Sequence, residues 1–379
     1  MTHTIHGELR ETVPIAAQRF ERSPFHDCWA TPDTVLGVYA GRFYPVTLGS
    51  PPEEGYRALR ERACLYDVPE RPVEISGPDA VALLERVIAR DVASLKPGRG
   101  RYGIMLTPSG GLLMDGILFR LEESRFWFVQ PDGPLDEWLD AHSGGLDVTV
   151  SDPRSWVLQL QGPASQRIMG AATGGATDAL KYFHAGFFEI GGQRVYVSRT
   201  GWTAELGYEV YTLGDDTDAP RLWADLIAAG EPHGMAVDGL GSMEIRRIEG
   251  GILNARTDFD RATNPWQAGL GPFVDLDRRG YTGREALDGL DRGLLIHGIE
   301  AEGGPPVGAV LCDGERVGHV TASAVSPTSG KGIGYVRFER PGEWGEAALT
   351  LEDGRECHVR PLPFLDPEKR LPRGLPLEG

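Results

Sequence analysis

Hydrophobic positions along the chain fall into short runs broken by Gly, Pro and charged turns, and these runs, alternating or continuously apolar, read as short strands between turn signals. Other segments place apolar residues three and four apart, the helical spacing: Pro52–Cys64, Leu135–His142, Asp218–Ala229 and Val237–Glu249. The mixture predicts an α+β fold. One unit occurs twice. PVEISGPDAVALLERV (Pro72–Val87) and WVLQLQGPASQRIM (Trp156–Met169) each read as a strand, a Gly-Pro junction and an amphipathic helix with Pro at its first position, where a missing N–H is harmless. The duplication predicts two related α+β lobes. Between the copies, Arg101–Thr107, Leu112–Leu121 and Arg125–Gln130 read as a three-stranded meander, and after the second copy Gly186–Ile190 and Arg194–Arg199 flank Gly191-Gly192 as a hairpin. From Gly293 onward short strands predict a separate small all-β domain, followed by a Pro-rich tail. The start of the chain lacks periodicity and reads as an extension wrapping the surface.

Charge narrows the partners. The 379 residues carry 38 Lys plus Arg against 55 Asp plus Glu, a formal charge of −17. A field of that sign repels phosphates and anionic lipid, so neither nucleic acid nor membrane is an expected partner. With 41% hydrophobic and 25% charged residues the chain is globular, and its length suits about two or three domains with a sizeable core. Lys96, Lys181, Lys331 and Lys369 are the only lysines, which leaves few candidates for Schiff-base chemistry. Cys28, Cys64, Cys312 and Cys357 form no CxxC pair, so neither a metal site nor a disulfide framework is expected. No apolar stretch approaches the roughly 18–20 residues that span a bilayer, and the first residues lack the apolar block of a signal peptide. A cytoplasmic protein is expected.

Two carboxylates stand out by their surroundings. Asp115 lies in LLMDGILFRL, a strand otherwise apolar on both faces, so its carboxylate must find a donor or a cation. Glu209 lies in TGWTAELGYEVYTL, on a strand where Tyr211 shares its face. A carboxylate beside aromatics can hold a flat heterocycle or a guanidinium through two parallel hydrogen bonds. For both residues a purely structural pairing with one of the many arginines is the competing reading.

These segments stand in a recognisable order. From Tyr44 to about Val359 the chain resembles the folate-dependent aminomethyltransferase family, comprising the glycine-cleavage T-protein and relatives that demethylate small methylated compounds. The resembling segments include YPVTLGSPPEEGYRALRERACLYDV, PSGGLLMDGIL, LQGP, SRTGWTAELGYE, RRIEGGI, TNPWQAGLG, GYTGREAL and ERVGHVTASAVSPTSGKGIGYV. The resemblance implies a three-domain cloverleaf around a channel that holds tetrahydrofolate: two related α+β lobes (44–292) and a C-terminal β-barrel (293–365), after an extension (1–43) and before a tail (366–379). It places Asp115 at the reactive edge of the pterin and Glu209 at its amino-pyrimidine edge. Tyr102 and Trp202 fall at positions that line the folate.

Departures from the T-protein pattern cluster where a substrate would bind. The first Arg of GLGARDxxRLE is Met243 here, the FDVSHM segment reads Tyr66-Asp67-Val68-Pro69-Glu70-Arg71 without its His, and the paired acids of GGxxDD are reduced to Met114-Asp115. The segment Phe25–Trp29 is unusually aromatic and either lines an apolar slot or pins the extension to the core. The leading expectation is transfer of a methyl group from a small O-, S- or N-methylated substrate to tetrahydrofolate. Asp115 would serve the reacting nitrogen, and Tyr102, His26 or Arg247 would neutralise the leaving group. The alternatives are a true T-protein, whose lipoyl carrier a surface of −17 suits poorly, and a folate-binding iron–sulfur maintenance protein. That second alternative is disfavoured because Arg279-Gly280-Tyr281 lacks the Cys of KGCYxGQE. A homo-oligomer is left open.

Overall fold

The duplicated unit becomes two sheets with the same strand order. In the first, a meander of Arg99–Leu106, Leu112–Glu122 and Arg125–Gln130 is followed across the sheet by Arg71–Ser76 and Thr149–Ser151. In the second, the meander is Ala185–Ile190, Gln193–Ser198 and Gly207–Tyr211, followed by Val157–Gln161, Cys64–Val68 and the short Ala236–Val237. Each repeat strand, Arg71–Ser76 and Val157–Gln161, thus pairs with the last strand of its own meander. The computed structural model describes residues 16–130 and 133–377; the start of the extension, 1–15, lies outside the described residues.

The junction glycines, rather than the prolines, set the repeat geometry. The helices run over Ala80–Val87 and Ser165–Ala172, so Pro78 and Pro163 precede the first helical residue by two positions instead of occupying it. Gly77 and Gly162 adopt φ of +129° and +117°, where a side chain is strained. A Cβ on Gly162 would also sit 2.7 Å from the Leu59 carbonyl oxygen. Each helix then buries one face on its own sheet: Leu83, Leu84 and Val87 against Ile75, Met105 and Phe128, and Ile168 and Met169 against Leu158, Val195 and Val210.

Period-two alternation sends the other side chains to the back of each sheet, and the two backs face each other. Phe119 and Trp127 of the first sheet meet Tyr196 and Tyr211 of the second with ring centroids 5.4–6.0 Å apart. The chain crosses from one sheet to the other at Pro69-Glu70, between Cys64–Val68 and Arg71–Ser76. Six strands between Ile296 and Arg360 close into a barrel. Helix Leu240–Glu249 lies between barrel and lobes, with Gly241 through Glu249 all buried. A hairpin of Val35–Tyr39 and Arg42–Thr47 straddles the expected start of the lobes. Phe25 is fully buried against Trp223, and the Trp29 indole donates to Asp67 at 2.8 Å, so the aromatic N-terminal segment pins the extension to the core of the second lobe. It does not line a substrate slot.

Candidate active site

Where the two sheet backs and the barrel diverge, they enclose a cavity of about 890 Å³, in the size range of ligand sites. Asp115 is placed on its wall by register. Ile104 stands opposite Asp115 and Tyr102 opposite Ile117, so Tyr102 is the diagonal neighbour of Asp115 on one face. The Tyr102 hydroxyl donates to Oδ2 at 2.8 Å, while Oδ1 is buried without a hydrogen-bond partner. Burial pushes the carboxyl up to about 6, the Tyr102 hydrogen bond offsetting part of the effect. Phe273 holds the Tyr102 ring edge-on at 4.8 Å.

Glu209 sits at the middle of its strand, with Ser198 opposite on one side and Gln159 on the other. Its Oε2 accepts from Ser198 (3.1 Å), Thr200 (2.6 Å) and Tyr211 (2.6 Å), and its Oε1 accepts from Gln159 Nε2 (3.1 Å). Burial raises its pKa, and the hydrogen bonds from Thr200, Tyr211 and Ser198 oppose the rise. Oε2 is saturated, Oε1 keeps acceptor capacity, and the residue is part of the cavity wall. Trp202 lines the same wall, its backbone N–H donating to Gln159 Oε1 at 3.3 Å.

The structure brings four of the expected residues together, Asp115, Tyr102, Glu209 and Trp202, and places two elsewhere. Arg247 is 1% exposed, ion-paired to Glu244 and, at 2.6 Å, to Asp258; it lies behind Trp202 with its guanidinium 5.5 Å from the indole. It is not among the residues of the wall. His26 heads a four-residue helix, its Nδ1 3.0 Å from Asp27 and its ring against Trp29, and it too is absent from the wall. Sequence reasoning passed over Gln159, which alternation within the wholly buried strand VLQLQ could have flagged as a polar residue with obligatory partners. Glu70, which in sequence is visible only as the residue in place of a T-protein histidine, also lines the wall. The tail returns to the cavity as well, through Lys369 and Arg373.

The GCVT N-terminal domain family matches residues 33–278. Over 377 residues the chain is 32% identical to an aminomethyltransferase of Rubrobacter xylanophilus, covering 96% of this chain and 99% of that one. It is 33% identical to the Streptomyces avermitilis aminomethyltransferase over 351 residues, covering 87% and 94%. The crystal structure of the glycine cleavage system aminomethyltransferase T from Bartonella henselae superposes with a TM-score of 0.82 at 25% identity, over 92% of this chain and 98% of that one. The chain belongs to the GCVT family and is an enzyme, a one-carbon transferase whose cofactor is tetrahydrofolate. Its names among relatives favour the glycine-cleavage alternative over the demethylase expectation. The cavity fits the cofactor: a buried carboxylate oxygen without a partner and a second carboxylate with a free lone pair both await N–H donors. Among the described residues, no helix is long and apolar enough to cross a membrane.

Proposed function

We propose that the enzyme passes the methylene carbon of a lipoyl-bound aminomethyl group to the two reacting nitrogens of tetrahydrofolate, whose N–H protons leave with the released lipoyl thiol and ammonia, with Glu209 holding the amino-pyrimidine edge and Asp115 serving those nitrogens. The observation that carries this reading is the partnerless, buried Oδ1 of Asp115 on the cavity wall. Tetrahydrofolate supplies the nitrogen nucleophile. Tyr102 fixes the carboxylate by occupying Oδ2, which leaves Oδ1, on a side chain of the cavity wall, as the oxygen free to accept an N–H proton. A carboxyl near pH 6 can hold that proton and release it around neutrality. Phe273, Trp202 and Met243 close the wall with apolar surface and limit water at the reacting atoms.

Asp115→Asn tests the assignment, because the amide keeps shape and loses the basic oxygen. Folate affinity by calorimetry should stay within about tenfold while turnover falls by about 100-fold or more. Unchanged turnover would remove Asp115 from the chemistry. A second reading, methyl transfer from a small methylated compound, is favoured by Met243, an apolar residue in the wall at the position of a T-protein arginine. Assaying lipoyl-bound aminomethyl donor beside sarcosine, a sulfonium compound and a methoxylated aromatic separates the two. Activity confined to the last three supports the second reading.

A further inference from the structure

Glu70 sits at the crossover between the two sheets, and its side chain reaches the cavity wall. Among the described residues its carboxylate has one donor: Gln159 Nε2, 3.0 and 3.2 Å from its two oxygens. The nearby cations are engaged elsewhere. Arg42 donates to the Glu70 backbone oxygen at 3.0 Å, and Arg71 pairs with Asp152. The same Gln159 nitrogen also donates to Glu209 Oε1, so one amide bridges two carboxylates that are ion-paired to no cation among the described residues. Burial first, then the charge of Glu209, raises the Glu70 pKa. Two such carboxylates repel each other, and only ligand donors or a shared proton can relieve the strain. Glu70 keeps acceptor capacity on both oxygens, more than Glu209 retains. The partnerless Oδ1 of Asp115 marks the same cavity independently as a site for N–H donors.

We propose that Glu70 is a second binding carboxylate for the amino-pyrimidine head of the folate, acting beside Glu209 with Gln159 fixing the spacing between them. The inference rests on the folate reading of the cavity and adds a residue to it. It makes the pair a site that gives up stability to gain affinity, as buried like charges at functional sites do. The consequence is a double signature. Removing the Glu70 carboxylate, which a shared proton relieves in the empty protein, should weaken the ligand without destabilising the empty protein.

The experiment compares wild type and Glu70→Gln by titration calorimetry with tetrahydrofolate and by thermal melting without ligand. The expected result is a Kd at least about tenfold weaker, with a melting temperature equal to or above that of the wild type. A Kd within about twofold of wild type would overturn the proposal. So would a lower melting temperature or failure to fold, since either makes the carboxylate structural. If the wild type itself bound no tetrahydrofolate, the folate reading would fall, an outcome distinct from a variant that binds as well as its parent.

Discussion

Asp67 shows how a single buried group ties the stability of this protein to pH. It is 4% exposed, accepts from the Trp29 indole, and burial pushes its carboxyl from an ordinary value of 3.8 up to about 7. Between those values the folded state holds a proton that the unfolded state has released. Stability therefore falls as pH rises from about 4 to about 7, by at most on the order of 4 kcal/mol from this residue. Asp67→Asn has no such proton and keeps an acceptor for Trp29. Melting curves at stepped pH should show the wild type losing stability across that window relative to the variant, and parallel curves would refute the claim. Asp115 is raised for the same reason and adds a loss of the same sign on the way to about pH 6. Glu209 differs in degree: four donors surround it, so Glu209→Ala should cost about 2–5 kcal/mol of folate binding, read by calorimetry, partly by stranding those donors.

At the scale of elements, the strand-to-helix junctions depend on close backbone approach. Gly162 combines a φ of +117° with carbonyl oxygens of Leu59 and Arg62 within 2.8 Å of where a Cβ would sit. Gly192, in the hairpin turn, has a φ of +78° and open space around it. Gly162→Ala should therefore cost about 2–4 kcal/mol, and Gly192→Ala about 1 kcal/mol from backbone strain alone. Denaturant melts of the two variants measure the difference, and equal losses would mean that the contact with Leu59 and Arg62 is relieved easily.

For the whole molecule, the charged residues of helix Leu240–Glu249 hold the barrel to the lobes. Arg247 pairs with Asp258, whose other oxygen accepts from Thr321 of the barrel at 2.7 Å. Glu249 accepts from Tyr56 of the lobe helix at 2.8 Å and from Ser326 after a barrel strand at 2.5 Å. The Tyr335 hydroxyl, also from the barrel, reaches the backbone oxygens of Arg247, Ile248 and Ile252 at 3.0–3.1 Å. Arg247→Ala would leave Glu244 and Asp258 buried without their cation, at about 3–5 kcal/mol of stability. Faster hydrogen exchange around Thr321 and Tyr335 should accompany that loss. If stability held while turnover fell, Arg247 would return to the chemistry.

The periodicity of the chain determined which segments are strands and helices, because each buries one face and the 2.0 and 3.6 repeats record that face directly. Leu135–His142 begins and ends where its pattern does, and the meander strands agree within a few residues. Asp115 and Glu209 were also legible, since a carboxylate inside an apolar strand must have a special environment wherever the strand lies. The partners of those residues were not. Tyr102 meets Asp115 through strand register, Gln159 joins Glu70 to Glu209 across the pairing of three strands, and helix Leu240–Glu249 buries both its faces. Such contacts link residues far apart in the chain, and no local pattern encodes them. Arg247 illustrates the limit: an arginine in a family motif reads as a site residue, and only the packing of the barrel against the helix made it a structural anchor behind the cavity wall.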